Sequence, residues 1–152
     1  MTPELQPQDP NYESRVRASF TRQQVMQTMG ASLTLVEPGA VEIELPYRAD
    51  LTQQHGFIHA GIIATLLDSA CGYAAFSLMP ADAAVLSIEF KVNLLAPAQG
   101  ELIKARAEVK RAGQNITVCT ADASALNAGQ SKIVATMLAT MMCLRGRNNL
   151  TG

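Results

Sequence analysis

One stretch of this chain has residue types and a spacing suited to chemistry. His59 opens a segment running to Met79 that is otherwise almost wholly apolar or small, and Asp68 is its single charge. Read as a helix, the segment begins with backbone N–H groups that have no internal partner and carry partial positive charge. Ala60 and Gly61 present little or no side chain to block a ligand there. Backbone donors of this kind stabilise the oxyanion formed when a carbonyl is attacked. His59 and Asp68 lie nine positions apart, which on a helix is about 13 Å and opposite sides of the rod. They cannot meet within one chain. If both serve one site, two copies must face each other across a two-fold axis. A helix start, a histidine and a remote carboxylate together suggest acyl transfer to water.

Each residue has a plainer reading. Asp68 could be a buried carboxylate satisfied by backbone or hydroxyl groups, but burying one without partners costs several kcal/mol, about 3–5 when a pair is broken. A functional role is the better account. Burial also favours the neutral form of a carboxylate, so a base here needs hydroxyl or amide donors nearby. His59 could be a helix-start residue without chemistry. Gln53 lies in the polar loop RADLTQQHGFI, where a surface glutamine is the default. Ser87, in VLSIEF, falls by strict alternation with Glu89 and Lys91, opposite Leu86, Ile88 and Phe90. A role for it beside the helix requires a local twist or bulge. The Met141-Met142 pair reads as core filler.

The elements that must position these residues follow from periodicity. ESRVRASFTRQQVMQTM, residues 13–29, predicts a short amphipathic helix ended by Gly30. ASLTLVE, a Pro38-Gly39 turn and AVEIELPY predict a hairpin, with Val41, Ile43 and Leu45 on one face and Glu42 and Glu44 on the other. A loop over 48–58 leads into the apolar helix, about His59 to Leu78. Four strand-like segments follow, joined near Pro97/Gly100, Ala112-Gly113 and Asn127–Gly129. Such short connections imply antiparallel neighbours, a four-stranded meander. The expected fold is α+β, a six-stranded antiparallel sheet wrapped around one long central helix with an extra N-terminal helix. The expected organisation is a tail and short helix over 1–30, the main domain over 31–145 and a flexible tail over 146–152. A helix apolar all round also needs cover on its second side, which points to a partner subunit.

Composition narrows the function classes. The chain has 152 residues, 48% of them apolar, and a net charge of −1, so one domain with a substantial core is expected. No basic face exists to track phosphates and tryptophan is absent, which argues against nucleic acid. Three widely separated cysteines and two histidines follow no zinc spacing and read as reduced thiols of a cytoplasmic protein. No metal or cofactor is implied. The first residues lack a basic and then apolar run, so no secretory signal is expected. The apolar helix is not read as a membrane span, because a central Asp costs about 2.5–3.5 kcal/mol on insertion scales.

Gln53, five residues, His59-Ala60-Gly61, six residues, Asp68: this pattern resembles the signature of hotdog-fold acyl-CoA thioesterases of the PaaI-like group. The longer string QHGFIHAGIIATLLDSACGYAA, followed by a strand and LLAPA, extends the likeness over residues 40–143. The resemblance implies that the Ala60 N–H polarises the thioester carbonyl beside Gly61, with the His59 side chain helping to hold it. It implies that Asp68 of the neighbouring subunit is the base for water or the attacking nucleophile. Gln53 would orient carbonyl or water, and Ser87 would hold the water or the carboxylate. Acyl-CoA is the implied substrate and a homodimer, or a homotetramer, the implied assembly. Lys91, Lys104 and Arg111 are candidates for the CoA phosphates. The N-terminal helix with Val16, Phe20 and Met29 favours medium or long aliphatic acyl groups. A non-catalytic acyl-CoA sensor and an aromatic acyl-CoA thioesterase are the alternatives. A hydratase is disfavoured because its Asp-x4-His arrangement is missing.

Overall fold

The computed structural model describes residues 4–150 and 152. Apolar residues at two periods build its two layers. In β2 (Ala40–Pro46) Val41, Ile43 and Leu45 are fully buried while Glu42 and Glu44 point outward, as the alternation predicts. β1 (Ser32–Glu37) joins it through the Pro38-Gly39 turn, where Gly39 has the positive φ of 75° that the turn needs. The central helix α3 (Ala60–Phe76) buries Leu66, Leu67, Ala70, Ala74 and Phe76. β3 (Ala84–Leu94), β4 (Leu102–Ala112), β5 (Ile116–Asn127) and β6 (Gln130–Leu144) complete one sheet, in the order β1-β2-β4-β5-β6-β3. Every pairing is antiparallel. The sheet's apolar face covers α3, which touches β2 through β6. The six-stranded sheet wrapped around one long helix is the expected architecture.

The expected meander is corrected at one point. β3 does not pair with its sequence neighbour β4; it lies at the edge of the sheet and pairs with β6. The linker after β3 is held along its way rather than turned back. Leu95 and Ala96 donate to Val134 O at 2.8 and 3.2 Å, and Ala98 O accepts from Ile58 N at 3.0 Å. A linker paired to β6 at one end and to the loop before α3 at the other cannot close a tight hairpin. The loop over 48–58 is likewise more ordered than predicted, with a 3₁₀ turn over Ala49–Leu51 and a bridge between Thr52 and Ile58.

The N-terminal helix is two helices, α1 (Tyr12–Arg22) and α2 (Gln24–Met29), broken at Gln23. Gly30 ends α2 in the left-handed region, φ 79°, as expected of a stop. Arg15 fastens α1 to the far end of α3. Its guanidinium donates to Phe76 O, Met79 O and Pro80 O at 3.2, 2.7 and 2.6 Å. It also lies 4.2 Å above the Phe76 ring and pairs with Asp9. Burial lowers the Arg15 pKa, with Asp9 opposing the shift.

Candidate active site

The helix start has one open donor. His59 is the residue before α3, and its Nδ1 accepts from Gly61 N–H at 2.9 Å. The ring proton of a neutral His59 therefore sits on Nε2. Ile62 and Ile63 donate to His59 O at 2.9 and 3.2 Å. Of the first four amides of α3, the Ala60 N–H alone has no partner among the described residues. Ala60 lines a cleft of about 510 Å³. Gln53, Phe57 and Ile63 line this cleft with the crossover residues Leu94, Leu95 and Pro97. Apart from Gln53 its side chains are apolar, with one aromatic ring and no charge. The Gln53 side chain turns back on its own loop, where Oε1 accepts from the His55 N–H.

Asp68 sits elsewhere. It is half-buried in a separate recess of about 240 Å³, where Ser87 donates to its Oδ1 at 2.6 Å. That contact depends on a bulge. In the ladder with β6, Ser87 pairs with Met141 and Glu89 with Thr140, so Ile88 is the extra residue. The bulge turns Ser87 inward with buried Met141, while Glu89 stays outside and accepts from Thr140 Oγ1 at 2.7 Å. Beyond it Phe90, Val92 and Leu94 share the inner face, paired with buried Ala139, Met137 and Ala135. Strict alternation, which grouped Leu86 with Phe90, does not hold. Met141 is core, as expected, and its sulfur lies 3.4 Å from Ser87 Oγ.

Within one chain the structure thus brings together Gln53 and Ala60, His59 and Gly61, and Asp68 and Ser87, and it keeps the carboxylate apart from the helix start. Sequence reasoning missed Ser69 and Gln23, which share the Asp68 recess and bond each other at 3.0 Å. A buried serine beside the lone acid was the available signal. The crossover wall was also missed, although its apolar run ahead of Pro97 marked it. Two groups drop out of the chemistry. Burial pushes up the thiol of Cys71, which therefore stays protonated and non-nucleophilic. Lys104 is engaged by Glu44 at 3.3 Å and Glu42 at 3.8 Å on the outer face, whereas Lys91 and Arg111 are exposed.

A single helix enclosed by one antiparallel sheet, with an open amide at the helix start and a carboxylate halfway along it, defines the hotdog class. Residues 55–132 match the thioesterase superfamily, and the chain belongs to that family. The chain is similar to a thioesterase family protein from Silicibacter pomeroyi of known structure, with 57% identity, a TM-score of 0.88, and 89% of this chain and 99% of that one covered. It is 28% identical over 94 residues to the 1,4-dihydroxy-2-naphthoyl-CoA hydrolase of Listeria monocytogenes, covering 62% of this chain and 76% of that protein. A provisionally named esterase of Halobacterium salinarum is 36% identical over 99 residues, 62% of this chain, and the match spans 65% of that protein's length. The PaaI protein of Escherichia coli shares the fold, with 20% identity, a TM-score of 0.80, and 90% and 95% of the two chains covered. None of the described helices is long and apolar enough to cross a membrane.

Proposed function

We propose that this protein hydrolyses acyl-CoA thioesters at a site completed by two copies of the chain. The observation that carries the reading is the division of the chemistry. Ala60, with its open N–H, lines an apolar cleft, while the one carboxylate of α3 occupies a different recess with Ser87. Each recess lacks what the other has. β3 is the sheet's edge, with an uncovered backbone row, and its inward-facing Phe90 and Leu94 are 43% and 56% exposed. A second copy pairing edge to edge around a two-fold axis covers both. The exposed outer-face residues Leu138 and Ile116 offer apolar area for joining two such dimers.

In the assembled site the thioester carbonyl oxygen lies on the Ala60 N–H, with the aliphatic part of the acyl group in the cleft. Asp68 of the second copy takes a proton from water as the water oxygen bonds to the carbonyl carbon, or attacks that carbon itself, in which case loss of the thiolate leaves a mixed anhydride that water then hydrolyses to the carboxylic acid and the free Asp68 carboxylate. Collapse of the tetrahedral intermediate breaks the C–S bond. The CoA thiolate leaves and takes up the proton, giving free thiol and a carboxylic acid. His59 orients the helix start by capping Gly61, and Gln53 borders the carbonyl position. The cleft's aliphatic walls favour medium or long acyl chains. A second reading, aromatic acyl-CoA, is supported by the name of the Listeria relative and by Phe57 in the cleft.

The test is thiol release from a panel of acyl-CoAs by the native protein and by Asp68→Asn. Release by the native protein and its loss in a folded, assembled variant support the reading. Binding without turnover by the native protein indicates a sensor. Near-native turnover by Asp68→Asn removes the carboxylate from the mechanism.

A further inference from the structure

The break between α1 and α2 places an amide in the Asp68 recess. Gln23 has an extended backbone, φ −77° and ψ 99°. Its N–H closes α1 on Phe20 O at 3.0 Å, and its C=O opens α2 by accepting from Met26 N at 3.1 Å. With the main chain so engaged, the side chain reaches α3. Gln23 Oε1 accepts from Ser69 Oγ at 3.0 Å, and Ser69, next to Asp68 in sequence, is only 8% exposed. In this bond the amide oxygen faces Ser69. The oxygen is held by Ser69, so Nε2 presents its two N–H groups elsewhere. Neither has a partner among the described residues, and Gln23 lines the recess that holds Asp68 and Ser87.

The recess is short of donors. Ser87 gives its proton to Asp68, Ser69 to Gln23, and Ser19 to Tyr73. A water that donates one hydrogen to a carboxylate and aims one lone pair at a carbonyl carbon still has a second lone pair to satisfy. Among the side chains that line the recess, the donors left are Gln23 Nε2 and the Tyr73 hydroxyl. Tyr73 lies five residues along α3 from Asp68, more than a turn away. Gln23 is bonded to the immediate neighbour of Asp68.

We propose that Gln23 is a further active-site residue, its Nε2 donating to the water that Asp68 activates while Ser69 holds the amide in that sense. This rests on the hydrolase reading above and adds to it a contribution from the N-terminal helices. It also accounts for the break: a continuous helix through position 23 would leave the Gln23 main chain, and with it the side chain, differently placed.

The experiment compares steady-state thiol release by the native protein with Gln23→Glu, Gln23→Ala and Ser69→Ala, with assembly checked by size-exclusion chromatography. Glutamate keeps the length of the side chain and an acceptor for Ser69 but has no N–H. The expected result is a kcat about tenfold lower in both Gln23 variants, the loss of one productive hydrogen bond, with KM within about twofold. Ser69→Ala loses less, because the amide remains and is only freed to turn. A purely structural glutamine predicts native kcat in assembled Gln23→Ala; because Gln23→Glu also adds a carboxylate to the recess of Asp68, its loss counts only together with that of Gln23→Ala. Native kcat in Gln23→Glu or in Gln23→Ala overturns the assignment and leaves the thioesterase reading standing. A native protein that releases no thiol from any acyl-CoA overturns both. If Gln23→Ala fails to assemble, Gln23→Met, neutral and of similar length but without an N–H, takes its place against the native protein.

Discussion

Ser87 donates to Asp68 at 2.6 Å because Ile88 is inserted between two registers of the same strand. Without the bulge the serine would stand on the outer face, and the helix carboxylate would lose its hydroxyl partner. A hydrogen bond to a charged group contributes about 1.5–3 kcal/mol. Ser87→Ala should therefore lower kcat by about tenfold or more if Asp68 works as an anion. Steady-state thiol release reads this. An unchanged kcat would make the contact purely structural.

The open amide of Ala60 can be removed without disturbing the helix. Ala60 is the first residue of α3, the position where proline is tolerated because its missing N–H would have no helical partner. His59 precedes it with φ −60° and ψ 139°, the extended conformation a following proline requires. Ala60→Pro should keep the melting temperature near native while kcat falls by roughly 10²–10³, the loss seen when one oxyanion donor is removed. Ala60→Val, which keeps the donor and adds bulk, should lose much less. Equal losses in the two variants would assign the effect to crowding.

Much of this was legible in the sequence, and the parts that were not share a cause. The period-two hairpin with Val41, Ile43 and Leu45, and the apolar helix with its lone acid, depend on local pattern alone. The pairing of β3 with β6 depends on where the chain goes after Leu94, and the turn chemistry of Pro97 and Gly100 suits a crossover as well as a hairpin. The bulge at Ile88 is a tertiary adjustment that no alternation encodes, although Ser87 on the polar side of a strand beside the helix signalled the need for one. Gln23 was illegible because its role depends on a helix break that good helix formers on either side conceal.

Arg15 should prove a stability residue. It donates to three carbonyls, of Phe76 at the end of α3 and of Met79 and Pro80 just beyond, and stacks on Phe76. Arg15→Ala should cost about 2–3 kcal/mol, from lost charged hydrogen bonds and a Met79 carbonyl left without its donor, since Phe76 O and Pro80 O keep the Met79 and Ala83 N–H groups. Arg15→Lys should recover only part of it, since an ammonium cannot fork to the same acceptors. Urea denaturation of both variants at equal protein concentration checks this.

Alkali should destabilise the fold through its buried thiols. Burial pushes the Cys119 thiol up to about 12, against an ordinary 9.0, and Cys71 shifts the same way. Between those values the unfolded chain loses protons that the folded chain retains. Stability from these groups is full below about pH 9 and is lost as pH rises toward 12. Melting temperatures measured from pH 8 to 11 should fall, less steeply in Cys119→Ala. At pH 8 a disulfide reagent should leave Cys71 and Cys119 unmodified until denaturant is added.

Two inactive variants should restore each other. If Ala60 of one copy works with Asp68 of the other, a dimer of one Ala60→Pro chain and one Asp68→Asn chain has one site with both defects and one with neither. Random reassociation of equal amounts makes half the dimers mixed, each with one intact site of two. Thiol release should then recover to about a quarter of native. A site contained within one chain predicts no recovery at any mixing ratio, because every site keeps its own defect. The two variants are unfolded and refolded together, with separately refolded samples as the control. Recovery only in the co-refolded sample establishes that the site is shared, and its absence, with mixed dimers shown by mass, would confine the chemistry to a single chain.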